Sequence, residues 1–193
     1  MHESFDFLNQ PAVKVAPLLL GCILEREIDG RRIRVKIVET EAYDQTDAAS
    51  HSFTGRTQRT DIMFGEAGHL YVYFTYGMHY CCNVVTDSEG VGSAVLIRAV
   101  EPLEGEESMQ ELRPRNGIDI SNGPAKLCQA LGINTVLNGH NLADAPLRLI
   151  PQSPIGKEHI IQTTRIGITK AKDMPWRFYI ADNPYVSKQS YKL

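Results

Sequence analysis

Residues 33–43 constrain this chain more than any other stretch. Ile33, Val35 and Ile37 alternate with Arg34 and Lys36, the two-residue period of a β-strand with one buried face. The segment continues as Val38-Glu39-Thr40-Glu41-Ala42-Tyr43. If the alternation holds, Glu39, Glu41 and Tyr43 point to the same side as Ile33, Val35 and Ile37, the side a half-exposed strand buries. A carboxylate near a core costs several kcal/mol unless it is paired or hydrogen-bonded. Two carboxylates and a tyrosine there mark a site, because a scaffold would carry valines.

The chain has 193 residues, enough for one domain with a real core. No repeat, low-complexity tract or linker interrupts it, so residues 1–193 are read as a single domain. Apolar residues make up 42% and charged residues 22%, which excludes a disordered chain. The longest apolar run, near Val15 to Leu20, is far too short to span a bilayer. Met1-His2-Glu3-Ser4 lacks the opening of a signal peptide. A cytoplasmic protein with no membrane contact is expected. Cys22, Cys81, Cys82 and Cys128 form no C-x-x-C pair. With no export signal they read as reduced, buried thiols.

The net charge is −3, a weak argument against nucleic acid. Its distribution is uneven. Glu101 to Glu111 holds five acidic residues and no basic one, whereas from Gly156 onward there are seven basic and three acidic. A chain acidic overall can present one basic face; ordinary solvated charge is the plainer account.

Pro17 in a first turn suggests a short helix over Val15–Cys22. Leu24–Ile28 and Arg32–Tyr43, joined by Asp29-Gly30, read as a hairpin. Asp44–Ile62 is a long polar loop, a length that tends to be functional. Strands follow at Leu70–Tyr76, Cys81–Val85 and Ala94–Val100. Helices are expected over Glu104–Leu112 and Ala125–Leu131, the second stopped by Gly132. Leu147–Ile150, Ile166–Thr169 and Arg177–Ala181 read as strands. Strands in runs with few helices give an α+β class: one domain on a mixed, mainly antiparallel, curved sheet with short flanking helices.

Five pieces remain: the Glu39/Glu41/Tyr43 strand end, loop residue His51, strand residues Tyr73 and Tyr76, Asn83, and Arg98 near the end of an apolar strand. Their wording resembles the alkyladenine (3-methyladenine) DNA glycosylase family. The resembling blocks are Val38-Glu-Thr-Glu-Ala-Tyr43, Ala49-Ser-His51-Ser, Leu70-Tyr-Val-Tyr-Phe-Thr-Tyr-Gly-Met78 with Asn83, Val95-Leu-Ile-Arg-Ala-Val-Glu-Pro-Leu103, Asn122 to Leu131, Arg165-Ile-Gly167 and Arg177-Phe-Tyr179. They are colinear and cover nearly the whole chain.

The resemblance implies a DNA repair enzyme that flips an alkylated purine out of duplex DNA and hydrolyses its bond to deoxyribose. By resemblance, Glu41 activates the attacking water and stabilises positive charge on the sugar. Arg98 holds that water and keeps Glu41 charged. Tyr43, His51 and Tyr73 line the base pocket, where π-faces attract a cationic purine. Tyr76 wedges into the gap left by the flipped nucleotide. Asn83, on the pocket floor, discriminates against the exocyclic amine of guanine. Glu39 takes a supporting role. A strand-end salt bridge, core aromatics and a satisfied amide are the structural readings of the same residues.

The loop Thr54–Asp61 departs from the family's wording at Gln58 and Thr60. The implied partner is double-stranded DNA with alkylated bases: 3-methyladenine first, then 7-methylguanine and hypoxanthine. Contacts to its backbone fall to Arg56, Arg59 and the C-terminal basic residues. A monomer without an obligate protein partner, a metal or any other cofactor is expected. No lysine flanks the Glu41 block as an amine nucleophile, Lys36 lying further back, so water alone is the expected nucleophile. Two other readings stay open. One is a nucleic-acid-binding module without catalysis. The other is a carbohydrate hydrolase using Glu39 and Glu41, about 7 Å apart along a strand, a spacing that suits an inverting pair.

Overall fold

The computed structural model describes residues 5–75 and 77–187. Its spine is a hairpin of β1 (Ile23–Ile28) and β2 (Arg31–Asp44). Asp29 and Gly30 between them both have positive φ, 49° and 72°, the turn whose twist matches the flanking strands. β2 pairs along one edge with β5 (Ser93–Glu104). Its other edge takes β1 over Arg31–Lys36 and then β8 (Arg177–Ile180) over Glu39–Glu41. The carboxylate segment therefore lies mid-sheet, with a strand on each side.

β3 (Leu70–Thr75), β4 (His79–Val85) and β6 (Leu147–Ile150) extend the order to β3-β4-β5-β2-β1-β6, and β7 (Ile160–Thr163) attaches through β8. The class is α+β, as expected. Every pairing among the described strands is antiparallel, so they include no parallel pair to make the sheet mixed.

The simple alternation of β2 does not survive. The β2–β5 register shifts between Ile37 and Glu39 and again between Glu39 and Thr40. The first shift leaves Val38 without a partner; the second does the same for Arg98. Each extra residue switches which parity faces the core. Ile33, Val35, Ile37 and Ala42 consequently all lie in the main core, and Thr40 donates its hydroxyl to Ala16 O (2.9 Å). Glu39, Glu41 and Tyr43 belong to the opposite face, contrary to the side that unbroken alternation assigns them.

The main core also receives α1 (Ala12–Val15), α2 (Glu106–Leu112) and α3 (Pro124–Ala130). The first helix was expected over Val15–Cys22. It ends before Pro17 instead, because proline has no N–H for the carbonyl four residues back. Leu18 and Leu19 make turns onto Val15 O. The strand expected at Ile166–Thr169 is a bent loop: Gly167 has φ 77°, and the Ile166 N–H serves Glu41 rather than a ladder. All four cysteines are buried and none is in a disulfide. No helix among the described residues is long and apolar enough to cross a membrane.

Candidate active site

The face of the sheet opposite the helices carries the polar strand residues. β3, β4 and β5 turn Tyr71, Tyr73, Cys81, Asn83, Leu96 and Arg98 to it, and these line a cavity of about 490 Å³ together with Tyr43, His51 and the Ile166–Lys170 loop.

Glu41 is fully buried behind that wall. Its Oε1 accepts from the Ile166 N–H (2.8 Å) and lies 3.3 Å from Arg98 Nη1. Its Oε2 accepts from the Tyr43 hydroxyl (2.8 Å). Tyr43, Arg98 and Ile166 all line the cavity, so the carboxylate lies one side chain away from it. Arg98, almost buried, also donates from Nε to Glu39 Oε1 (3.0 Å). One guanidinium thus spans both carboxylates.

Tyr43 is held from behind. The Arg165 guanidinium stacks 4.6 Å from its ring and 5.2 Å from that of Trp176. Asp47 pairs with both terminal nitrogens of Arg165, and Ala42 O accepts from Nη1 (2.9 Å). Burial, and then the Glu41 charge, push the Tyr43 phenol far above its ordinary range, so it stays neutral and donates. Arg165 was legible only as part of a motif; Asp47 and Trp176 carried no signal in the sequence.

His51 opens a one-turn 3-10 helix, His51–Thr54, capped by Ser50, whose side chain accepts from the Ser52 N–H (3.2 Å). Its Nδ1 is 3.0 Å from the Tyr71 hydroxyl and its ring meets Tyr73 edge-on at 4.5 Å. Burial and the neighbouring Arg59 charge hold its imidazole below the ordinary value. Tyr71 and Tyr73 lie 5.6 Å apart on the same wall. In the sequence Tyr71 looked like one more strand aromatic, yet it fixes His51. Asn83 gives one amide hydrogen to Tyr71 O (3.1 Å).

The two loop arginines part company. Arg59 sits over the Tyr73 ring at 5.8 Å, against the cavity wall. Arg56 instead pairs with Asp61 at 2.6 Å. Thr60, at one of the two departures in this loop, is buried and bonds to Thr57 N (2.9 Å) and Gly55 O (3.2 Å), tying the loop to itself. Lys36 pairs with Glu101 (2.6 Å), while Lys170 reaches the cavity wall, a position the sequence did not reveal. Tyr76 lies outside the described residues.

A buried carboxylate–arginine pair thus lies beside an aromatic-walled cavity. Comparison with known sequences adds to this. Residues 6–184 match the family model for methylpurine-DNA glycosylase. A relative from Carboxydothermus hydrogenoformans is 49% identical over 186 residues, covering 95% of this chain and 97% of its own. One from Francisella tularensis subsp. tularensis is 50% identical over 193 residues, covering 98% and 100%. One from Methanoculleus marisnigri is 48% identical over 187 residues, covering 95% and 97%. All three bear the provisional name 3-methyladenine DNA glycosylase. The chain belongs to the methylpurine-DNA glycosylase family: it is a DNA glycosylase, its substrate is DNA and its setting is DNA repair.

Proposed function

We propose that the whole chain acts as one monomeric glycosylase domain that takes an alkylated purine, 3-methyladenine above all, out of duplex DNA and releases it by hydrolysis. One observation carries this reading: the Glu41–Arg98 pair lies directly behind a cavity of about 490 Å³ whose walls include Tyr43, His51 and Tyr73. That is within the size range of small-molecule sites, about 300–1,000 Å³.

The flipped purine enters among the three rings, whose faces favour its positive charge. Glu41 takes a proton from water as the carbon–nitrogen bond breaks, and its charge stabilises the oxocarbenium-like sugar. Each carboxylate oxygen offers two lone-pair directions, so Oε2 can accept from water while still bonded to Tyr43. Glu41 is closed to solvent, so the water enters with the substrate, through a shift of Tyr43 or of the Ile166–Lys170 loop. Asn83, on the cavity wall, leaves less room for the 2-amino group of a guanine than for the hydrogen an adenine carries at that position. Tyr76 supplies the wedge, and Arg59 with Lys170 meets the DNA backbone.

The carbohydrate-hydrolase reading loses support at Glu39. Arg98, Arg177 and Ser187 donate to its two oxygens, and it does not line the cavity, so among the described residues no second carboxylate is placed to act. The test is direct. Duplex DNA treated with a methylating agent is incubated with the protein, and the free bases and strand breaks are both measured. Release of 3-methyladenine without cleavage is expected. Absence of any free base refutes the reading; strand cleavage trapped by borohydride on Lys170 refutes water as the nucleophile.

A further inference from the structure

Glu39 is fully buried and mid-sheet, and it does not line the cavity. It nonetheless accepts four hydrogen bonds from described residues. Its Oε1 accepts from Arg98 Nε (3.0 Å), Arg177 Nε (2.7 Å) and Ser187 Oγ (2.9 Å), and its Oε2 from the Ser187 N–H (2.7 Å). Ser187 belongs to a short strap running from Asn183. Tyr185 N donates to Asn183 Oδ1 (2.9 Å), and Asn183 Nδ2 donates to Glu101 Oε2 (2.8 Å). Val186 packs on Val38, Ala99 and Tyr179. Val38 is the unpaired residue of one register shift, and Ala99 adjoins the other at Arg98. The strap therefore covers the place where the β2–β5 ladder is interrupted.

Arg98 is itself an unpaired residue of that ladder, on a side chain with several rotatable bonds. Cross-strand pairing does not fix its direction. A buried charge cluster adds little net stability over apolar packing, so the physical consequence of this one is orientation. We propose that Glu39, held in turn by Arg177 and the Asn183–Ser187 strap, is the positioning residue for Arg98: it clamps the Nε edge so that Nη1 faces Glu41. The C-terminal strap is thereby part of the catalytic support although it lines no cavity. This rests on the glycosylase reading above.

The full chain is compared with Glu39→Gln, Glu39→Asp and Ser187→Ala under single-turnover conditions on methylated duplex DNA. Binding is measured separately on a duplex carrying a tetrahydrofuran abasic site. Glutamine replaces one carboxylate oxygen by an amide NH2, so whichever way the amide turns a donor meets a donor, at the Ser187 N–H or at Arg98 and Arg177, and the clamp loosens. The Glu39→Gln rate constant is expected to fall about tenfold to a hundredfold, the scale of a misplaced catalytic group. Reaction amplitude and binding stay at the parent's level. Glu39→Asp restores part of the rate, and Ser187→Ala loses a smaller factor. A purely structural role would lower the amplitude and leave the rate constant alone; that result overturns the proposal, as do variants as fast as the parent. If Glu39→Gln does not fold, Ser187→Ala decides: an unchanged rate constant overturns it. A parent that releases no base overturns the proposed function and this inference together, whereas a working parent beside equally fast variants overturns this inference alone.

Discussion

At the scale of single residues, the site is a set of charges held in low-dielectric surroundings by named partners. His51 shows how this reads out in pH. Burial first, and Arg59 second, hold its imidazole below the ordinary value, so the unfolded chain takes up a proton more readily than the fold does. The stability associated with neutral His51 is full above the unfolded value of about 6.5 and is lost as pH falls through it toward the lower folded value. Melting temperature should therefore drop more steeply for the parent than for His51→Gln as pH falls from about 7.5 to about 5.5. Parallel curves for the two proteins would contradict this. Cys81 behaves as a structural group by the same logic: burial pushes its thiol up to about 11, leaving little thiolate at neutral pH.

At the scale of elements, the lesson lies in where alternation stops. The sequence of β2 announces a strand and a polar strand end, and both are there. It does not announce the register shifts at Val38 and Arg98, because an extra residue is a property of the pair β2–β5 and not of either strand alone. Without them Glu39 and Glu41 would point among Ile33, Val35 and Ile37. The Ile166–Thr169 segment misled for a related reason: its apolar residues suggest a strand, but its first N–H is claimed by a carboxylate 125 positions away. Glu39 and Glu41 drew notice because carboxylates are unusual on the buried side of a strand; His51, Tyr73, Asn83 and Arg98 were singled out with the family resemblance. Tyr71, Asp47, Trp176 and Lys170 were not, since their types are ordinary and only tertiary packing gives them a place.

Gly92 tests the element that carries His51. A Cβ there would lie 2.6 Å from both Ser52 Cβ and the Phe64 ring, and Gly92 O accepts from Ser52 Oγ (2.9 Å). Gly92→Ala should push the His51–Thr54 turn outward and cost about 1–3 kcal/mol, the range for overpacking. A lowered melting temperature and slower base release are expected together. Unchanged values of both would show that the turn yields freely.

At the scale of the whole molecule, the charge balance limits how DNA is held. Net charge is −3, and among the described residues the exposed cations near the cavity are few: Arg59 and Lys170, with Lys172 close by on the same loop. Arg56 is partly spent on Asp61. With about three phosphates neutralised, the plot of log affinity against log salt should have a slope of about −3. A much steeper slope would mean that a larger basic face meets the duplex.

The central claim is that one carboxylate, gripped by Arg98 and Tyr43 behind an aromatic cavity, drives the chemical step. The most direct measurement is single-turnover release of 3-methyladenine by Glu41→Gln, beside its affinity for a duplex with a tetrahydrofuran abasic site. A fall of about a hundredfold to ten-thousandfold in rate, the contribution of a positioned general base, with affinity unchanged, is the predicted result. Release at the parent's rate would show that Glu41 is a structural ion-pair partner and that the water is activated elsewhere.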